Sequence, residues 1–315
     1  MNYEVNPKAA YLLEQFSSLA FFETMQNNYR LFLGELEELF EIYMHNLPTN
    51  LRDLPFPEQA DIQWGGTVLP NLRRTMDRID YAYVKIRGGD FTYLDCVGEI
   101  RSNDKGLSEF SPHWMDDLPS EKVRKCWNYY SIARKYASVI ENTYPTSWSQ
   151  NFLINEFPDA EIFHEIDVPP LPCSYPIYRI NPEINIKSKQ KLIETGIYIC
   201  HEYDNKLAFL ASSTEENNGF APRYAKQNME TGENMYFETT WTLVERIADE
   251  GGSAEPIQVE NLKGFAGQVC QRTGNWWSPA NKLQPRYFEQ GEVFPKVEDN
   301  SWGETIWYLE VTNKK

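Results

Sequence analysis

Histidine and cysteine, the side chains that most often carry catalysis or bind metals, are few in this chain. The histidines are His45, His113, His164 and His201, and the cysteines are Cys96, Cys126, Cys173, Cys200 and Cys270. Two His-Glu pairs, at 164–165 and 201–202, begin like a zinc-binding helix motif, but neither has the second histidine four residues after the first. Cys200 precedes His201 in a predicted strand, where neighbouring side chains point to opposite faces. The pattern therefore predicts no catalytic residue, no metal site and no cofactor.

Other enzyme signatures are also missing from the sequence. The Gly-Phe-Ala-Gly run at 264–267 is too short for a phosphate-binding loop, and no Gly-x-Ser-x-Gly turn is present. With 46 aspartates and glutamates, however, some pair of carboxylates will lie close together in any fold. Two alternatives to a pure binding protein therefore stay open. One is a carboxylate-dependent hydrolase, and the other is a β module that binds a small ligand.

The charge balance indicates which partners the protein can attract. The formal net charge is −16, from 30 basic and 46 acidic residues. This balance argues against nucleic acid or an anionic membrane as partner, because both require a basic surface. An acidic surface attracts basic proteins, although acidity can also serve solubility alone. We therefore expect a protein partner with a basic face. The candidate contact residues are Glu35, Glu37, Glu38 and Glu41 on one helix face and Glu215, Glu216, Glu230 and Glu233 in predicted loops.

Cysteine usage and the lack of hydrophobic stretches predict the compartment. The five cysteines are an odd number without paired spacing, which is typical of free thiols in a reducing environment. The first residues contain no basic region followed by an apolar stretch, and no window of eighteen uninterrupted apolar residues occurs. We therefore expect a cytoplasmic protein.

Residues 1–150 carry the period of amphipathic helices. In residues 31–43 the apolar side chains fall on one face and the four glutamates on the other. Thr67 and Pro70 resemble a helix cap and a first-turn proline, and the apolar stripe that follows ends at Gly88-Gly89. A shorter helix is predicted after Asp90, and a long one from Ser120 to the residue before Pro145. These segments predict a helical bundle.

The remaining residues predict strands after an irregular connection. Residues 151–195 are rich in proline and contain one predicted strand, Glu161–Val168. Residues 196–315 contain further strand patterns at 196–203, 207–211 and 235–247, the first two forming a hairpin around Asp204-Asn205. The chain is therefore predicted to be α+β. It comprises a helical domain (1–150), a connection (151–195) and a domain with a small antiparallel, partly curled sheet (196–315).

The C-terminal residues form an unusual motif whose chemistry is structural. Its members are Cys270, Gly274, Trp276, Trp277, Arg286, Phe288, Gly291, Pro295 and Trp307. Gly274 and Gly291 suit turns with positive φ, and the aromatic residues predict a compact cluster. Arg286 is expected to lie across an aromatic ring or to pair with Glu292. Cys270 has no partner cysteine nearby, which predicts a buried thiol without zinc.

This motif resembles that of the related immunity protein families 71 and 72 of bacterial polymorphic toxin systems. Those proteins end in G-x-x-C-P-x-[ST]-G-x-W, then R-x-F-x-x-G-[ED]-x-[ML]-P and a final [AT]-[TI]-x-W. The matching residues here are Gly267, Cys270, Thr273, Gly274, Trp276 and Trp277, then Arg286, Phe288, Gly291, Glu292 and Pro295, then Thr305, Ile306 and Trp307. Gln271 replaces the usual proline, and Phe294 replaces an aliphatic residue. The similarity covers about residues 196–315.

The resemblance implies a cytoplasmic protein that neutralises one secreted toxin by forming a tight complex with it. Such toxins are often effectors of type VI or contact-dependent secretion systems. The resemblance does not identify the toxin. A signature that a whole family shares is better explained by a common role in folding than by recognition of diverse toxins. We therefore expect the toxin contacts on other surfaces, such as loops and helix faces.

Overall fold

We describe the protein from a computed structural model. The described residues are 5–144, 157–159, 161–168, 170–200, 202, 206–227, 233–252, 263–281, 285–297 and 305–309. The chain divides into two compact units, Met1–Gly252 and Ser253–Lys315. The change from helices to strands lies inside the first unit. The boundary between the units instead follows the glycine pair at 251–252.

Helices occupy the N-terminal part of the first unit, as predicted. Their bounds are α1 Pro7–Phe16, α2 Leu19–His45, α3 Ala60–Gln63, α4 Leu69–Arg87, α5 Gly98–Glu109 and α6 Ser120–Thr143. The side chains of Asn6 and Ser18 cap α1 and α2 by accepting hydrogen bonds from backbone N–H groups. Pro70 lies in the first turn of α4, as predicted. The prediction of Thr67 as its cap is wrong, because Trp64–Val68 is a π-helical segment that runs directly into α4.

The helices share an aromatic core between α2 and α6. The ring of Phe32 on α2 lies 4.7 Å from that of Tyr130 and 6.1 Å from that of Trp127 on α6, measured between centroids. Both pairs are inclined to each other, as aromatic pairs prefer. Phe32 is fully buried. This packing fixes the relative position of the two longest helices.

A four-stranded antiparallel sheet completes the first unit. Its strands are β1 Tyr175–Lys187, β2 Gly196–Cys200, β3 Lys206–Leu210 and β6 Thr240–Gly252, in the order β1-β6-β2-β3. Ile197, Ile199 and Phe209 on one face join the helical core, whereas Tyr198 and Trp241 on the other face join a second core. The sheet is therefore covered on both faces. The predicted pairing of β2 with β3 is confirmed, while residues 203–205 of its turn lie outside the described residues.

Two strand predictions in this unit are wrong. Glu161–Val168 contains a 3-10 helix, Glu161–Phe163, followed by Glu165 with a φ of 67°, a conformation that interrupts an extended strand. Strand β1 was not predicted, since Pro176 and Pro182 argue against a strand. It forms because it lies at the edge of the sheet, where proline is tolerated, and its register shifts near Pro182.

The predicted strand 235–247 is divided in two. Its first part is β5 Asn234–Phe237, which pairs with β4 Tyr224–Gln227 in a separate two-stranded sheet. Its second part continues as β6. The break brings Thr239 to a buried position where its backbone N–H donates to the hydroxyl of Ser188. The prediction of extended structure in these residues is therefore correct, but the prediction of one continuous strand is wrong.

The second unit contains a small antiparallel sheet of its own. Its strands are β7 Lys263–Phe265, β8 Gly274–Trp277, β9 Arg286–Phe288 and β10 Ile306–Leu309, in the order β7-β10-β8-β9. Together with the first unit, this confirms the predicted α+β class with helices followed by antiparallel strands. Among the described residues, no helix is long and apolar enough to cross a membrane.

Candidate protein-binding surface

Three aromatic residues of the C-terminal motif, Trp276, Phe288 and Trp307, lie in the core of the second unit. Cys270, Trp276, Phe288 and Trp307 are buried there with Phe294 and Leu309. Two backbone carbonyls accept their indole hydrogen bonds, Arg272 from Trp276 at 3.1 Å and Pro295 from Trp307 at 3.0 Å. Buried indole nitrogens with partners hold their rings in one orientation. The aromatic cluster is therefore a structural device, as the sequence predicted.

The remaining motif residues have local structural roles. Gly291 has a φ of 100°, as predicted, but Gly274 does not have a positive φ. Instead, a Cβ at Gly274 would lie 2.8 Å from the side chain of Leu309, so the small residue permits close strand packing. The guanidinium carbon of Arg286 lies 5.1 Å from the ring centroid of Phe288, as expected. Trp277 pairs through its backbone with Tyr308.

The Cys270 thiol lies buried in this core. Its sulfur donates to the carbonyl oxygen of Arg272 at 3.1 Å, and the residue is fully buried. Among the described residues, no group of three or more His, Cys, Asp or Glu side chains is arranged to hold a metal ion. The arrangement gives the thiol a packing role.

Three of the four candidate glutamates on α2 are paired with cations of the same chain. Glu35 binds Lys125 of α6 at 2.6 Å, and Glu38 binds Lys122 of the same helix. The carboxylate of Glu37 binds Arg73 of α4, also at 2.6 Å. The hydrogen bond from Lys122 lowers the pKa of Glu38. These pairs link α2 to its neighbours and compensate part of the negative charge. Glu41 is exposed and has no ion pair with a described residue.

The candidate glutamates in the loops have different environments. Glu215 is half-buried and accepts a hydrogen bond from the Tyr93 hydroxyl at 2.5 Å. This bond is the main cause that lowers its pKa, followed by the charge and hydrogen bond of Lys85. Glu216 and Glu233 are exposed, and Glu230 lies outside the described residues. Glu215 therefore connects its loop to α4, and Glu216 and Glu233 present their side chains to solvent.

A cavity that the sequence did not predict lies at the C-terminal end of α2. Its volume is about 360 Å³, and we call it the aromatic pocket. The lining residues come from three segments: Ile42, Tyr43 and Asn46 at the end of α2, Pro48, Leu54, Glu58 and Ala60 after it, and Ser111, His113, Trp114, Asp117, Leu118 and Pro119 before and at the start of α6. Tyr43 and Trp114 are its buried aromatic members. The pocket therefore joins segments that are far apart in the sequence.

Four aromatic side chains support this pocket. The ring of Trp114 packs against Phe40 at 5.5 Å, against Tyr43 at 5.3 Å and against Trp64 at 5.3 Å, between centroids. Trp114 is only 8% exposed, yet its Nε1 has no hydrogen-bond partner among the residues that the structure describes. A buried N–H without an acceptor is costly, and such a group in a folded protein requires an explanation. Burial raises the pKa of the Tyr43 hydroxyl.

The segments that surround the pocket carry many acidic residues and few basic ones. Residues 41–66 and 107–121 together contain eight acidic residues and one base, Arg52. The Arg52 guanidinium is held by Asp61 at 2.5 Å, and that hydrogen bond lowers the pKa of the carboxyl. Glu58 and Asp117, which line the pocket, are exposed and have no ion pair with a described residue. The field at the pocket is therefore negative and favours a cation.

Apolar side chains are exposed in the same segments. Phe56 is 60% exposed, and Met44 and Leu47 are also exposed. Apolar groups beside charged ones are typical of protein interfaces, where an apolar centre is surrounded by a polar rim. The sequence contains a sign of this surface, since acids and aromatic residues are interspersed in residues 53–64 and 109–117. That composition alone does not predict the surface, because it does not indicate that the two segments meet in the fold.

A second cavity lies between α4 and the segment 91–102. It has a volume of about 660 Å³ and is lined by Arg74, Asp77, Arg78, Tyr81, Tyr93, Asp95, Cys96, Gly98, Glu99 and Ser102. Glu99 is paired with Arg78. Burial raises the pKa of Asp95 and that of the neighbouring Cys96 thiol. This groove therefore combines a half-buried carboxyl with nearby guanidinium groups.

We found no match to this chain among models of protein families, among curated proteins or among solved structures. Function is therefore inferred from the chemistry of the described surfaces and from the resemblance of the C-terminal motif.

Proposed function

We propose that this chain is an immunity protein, which neutralises a cognate secreted toxin by binding it in a stoichiometric complex. The observation that carries the proposal is the acidic surface around the aromatic pocket. There, carboxylates without an ion pair, exposed apolar side chains and a buried indole N–H without a partner, all judged among the described residues, occur together. A protein with a basic face supplies cations for the carboxylates, apolar side chains for the exposed apolar groups and backbone carbonyls as acceptors for the indole. Aromatic residues in such a setting are the usual source of binding energy in protein complexes.

The position of the C-terminal motif supports the same proposal. Four residues of the part that resembles the immunity protein signature, Cys270, Trp276, Phe288 and Trp307, are buried in the core of the second unit. A role of these residues in folding would leave recognition to other surfaces. A family signature in the core and a recognition surface elsewhere allow related proteins to bind different toxins. In this proposal the protein acts in the cytoplasm, and its partner is neither nucleic acid nor a membrane.

The test uses the toxin domain encoded beside this protein. The two proteins are mixed in a series of ratios, and residual toxin activity is measured together with the mass of any complex. We expect full inhibition at one equivalent and a complex of fixed stoichiometry. Inhibition at much less than one equivalent would indicate catalytic turnover. Absence of both a complex and protection of toxin-producing cells would reject the proposal for that toxin.

A carboxylate-dependent hydrolase is the second candidate, and the groove beside α4 is the observation that favours it. A half-buried carboxyl whose pKa is raised by burial, such as Asp95, holds its proton to a higher pH than an exposed carboxyl and is therefore a candidate general acid. Arg74 and Arg78 line the same groove and would bind an anionic substrate. In this case Asp95→Asn would abolish protection of cells by the protein while leaving its fold intact. In the immunity proposal Asp95→Asn protects as well as the wild type.

A further inference from the structure

We propose that the aromatic pocket receives an arginine side chain from a loop of the basic partner. The guanidinium group would be bound between Glu58 and Asp117, and the aliphatic part would pack on Tyr43 and Trp114. This inference rests on the proposed function, since it names the group that the toxin presents to this surface. It is tested separately below with a probe that contains no toxin.

The size and lining of the pocket fit one side chain. A volume of about 360 Å³ is at the lower end of the range of small-molecule sites, about 300–1,000 Å³. The pocket combines aromatic walls with Glu58 and Asp117, two exposed carboxylates without an ion pair among the described residues. A pocket that combines buried aromatic residues with exposed carboxylates suits a long cationic side chain, which buries its stem and keeps its charged end hydrated.

Arginine fits these groups better than lysine. Its planar guanidinium has five N–H donors, binds carboxylates in a two-pronged geometry and stacks on aromatic faces. Trp and Tyr are also the best rings for a cation to approach. A neutral apolar guest would leave both carboxylates without a partner beside it. The pocket is therefore matched to a group that is both flat and positively charged.

The indole of Trp114 supplies a second recognition element. Its Nε1 is covered and has no acceptor in the described part of the chain, so an acceptor from the partner can reach it only if an incoming guest displaces the side chains over it. A backbone carbonyl next to the inserted arginine would provide that acceptor. The neighbouring Trp64 already donates to the Ser111 carbonyl at 2.9 Å. Ser111 also lines the pocket, and its carbonyl oxygen already accepts this hydrogen bond from Trp64.

Charge makes a second copy of this chain a poor occupant. Two identical surfaces with eight acids and one base each would repel one another. That single base, Arg52, is held by Asp61 and by a further hydrogen bond to Gln59 at 3.2 Å. The occupant must instead carry a free cation on its own surface, which is the property expected of the basic partner.

The experiment titrates ¹⁵N-labelled full-length protein with N-acetyl-arginine-N-methylamide and follows the tryptophan indole signals by NMR. The Trp114 signal is identified by its loss in Trp114→Phe and, independently, by backbone-linked assignment of the wild type. The corresponding blocked citrulline, which has the same shape without the charge, and blocked lysine are titrated in parallel. Glu58→Gln with Asp117→Asn removes the carboxylates. Glu183→Gln with Glu194→Gln is the matched control, because it removes two exposed acids of the β region that have no ion pair with a described residue.

We expect the arginine probe to shift the Trp114 signal saturably. The double pocket variant should weaken the probe's binding about tenfold, as expected for the loss of two exposed ion pairs. The control variant should bind as the wild type does, and citrulline should not bind. A Trp114 signal unmoved by arginine, or equal responses in the pocket and control variants, would overturn the inference. Equal binding of lysine would overturn the choice of arginine.

The two proposals fail in different ways. If the toxin complex forms but the arginine probe does not bind, the immunity function stands and the pocket inference is wrong. If the probe binds but no complex or protection is found with the toxin domain, the pocket is an arginine site and the immunity function is rejected for that toxin.

Discussion

Trp64 and Trp114 lie edge to face, with ring centroids 5.3 Å apart, but among the described residues only one of the two indoles has a hydrogen-bond acceptor. Trp64 donates to the Ser111 carbonyl at 2.9 Å, whereas Nε1 of Trp114 has no acceptor in the described part of the chain. Both rings are buried. Because their apolar surroundings are shared, this difference predicts that the two indoles contribute differently to the stability of the fold.

The pair predicts effects of unequal size for the same substitution. Trp64→Phe leaves the Ser111 carbonyl unsatisfied and opens a cavity, which should lower the free energy of unfolding by about 2–4 kcal/mol. Trp114→Phe also opens a cavity, but it removes a donor whose burial without a partner costs about 1–3 kcal/mol. We therefore expect Trp114→Phe to change the free energy of unfolding by less than about 1 kcal/mol. Urea denaturation of both variants measures the difference, and an equal loss in both would contradict it.

The second prediction concerns the core of the C-terminal unit. Trp276→Ala or Trp307→Ala should destabilise that unit by about 3–5 kcal/mol, because each removes a large buried ring. Limited proteolysis should then cleave within residues 253–315 first. Toxin binding by molecules that remain folded should be unchanged, since the proposed contact surface lies in the first unit. Tyr308→Phe is a matched control, because Tyr308 neighbours Trp307 on β10 but is only partly buried. A variant with normal stability and lost binding would place the motif in the interface.

The third prediction concerns the thiols and metal content. Cys126, Cys200 and Cys270 are buried, Cys96 is partly covered with its pKa raised by burial, and Cys173 is exposed. An aromatic disulfide reagent should therefore react rapidly with Cys173 and slowly with the rest, since the thiolate is the reactive form. We also expect no stoichiometric zinc in the purified protein and no change in its melting temperature with a chelator. About one zinc per chain, with unfolding on its removal, would contradict the role assigned to Cys270.

The fourth prediction follows from the ion pair of Arg52 and Asp61, which holds the segment beside the pocket. The bond from Arg52 lowers the pKa of Asp61 in the folded state. Its stabilising effect is therefore fully present above the unfolded pKa of about 3.9 and is lost as the pH falls through the lower folded value. Asp61→Asn should lower the urea midpoint at neutral pH, and its difference from the wild type should diminish in acid. A difference independent of pH would show that the pair contributes nothing through charge.

Much of the fold follows from local patterns in the sequence. The apolar stripe of α2, the first-turn Pro70 of α4 and the aromatic cluster around Trp276 depend on residues close to one another in the chain, and each was predicted. Strand β1 was not predicted, because a strand that contains prolines is tolerated only at the edge of a sheet. Whether a strand lies at the edge depends on the whole sheet and is not visible in the local sequence.

The candidate site was predicted less well, since it depends on long-range neighbours. The glutamates of α2 have the spacing of a solvated face, yet Glu35 and Glu38 face cations on α6, about ninety residues away. The aromatic pocket similarly requires that the end of α2 meet residues 111–119. Sequence patterning identifies which residues share a helix face. It does not identify which other helix that face meets.

The last prediction uses position relative to the pocket to distinguish the acids that attract the toxin. Amide substitution of a paired acid leaves its cation uncompensated, so it changes the net charge as much as substitution of an unpaired acid does, and its effect on association depends on where the charge lies. Glu58 and Asp117 line the pocket, so replacing Glu41, Glu58 and Asp117 by their amides should slow association with the toxin domain several-fold at low salt. Replacing Glu35, Glu37 and Glu38 removes the same number of charges but should slow association less, because none of the three lines the pocket. The difference between the two sets should shrink as salt rises, because exposed charges are screened beyond about 8–10 Å at physiological salt. Stopped-flow association rates at several salt concentrations measure both effects. If the two sets slowed association equally, net charge alone would account for steering; if neither did, the acidic surface would have no part in finding the toxin.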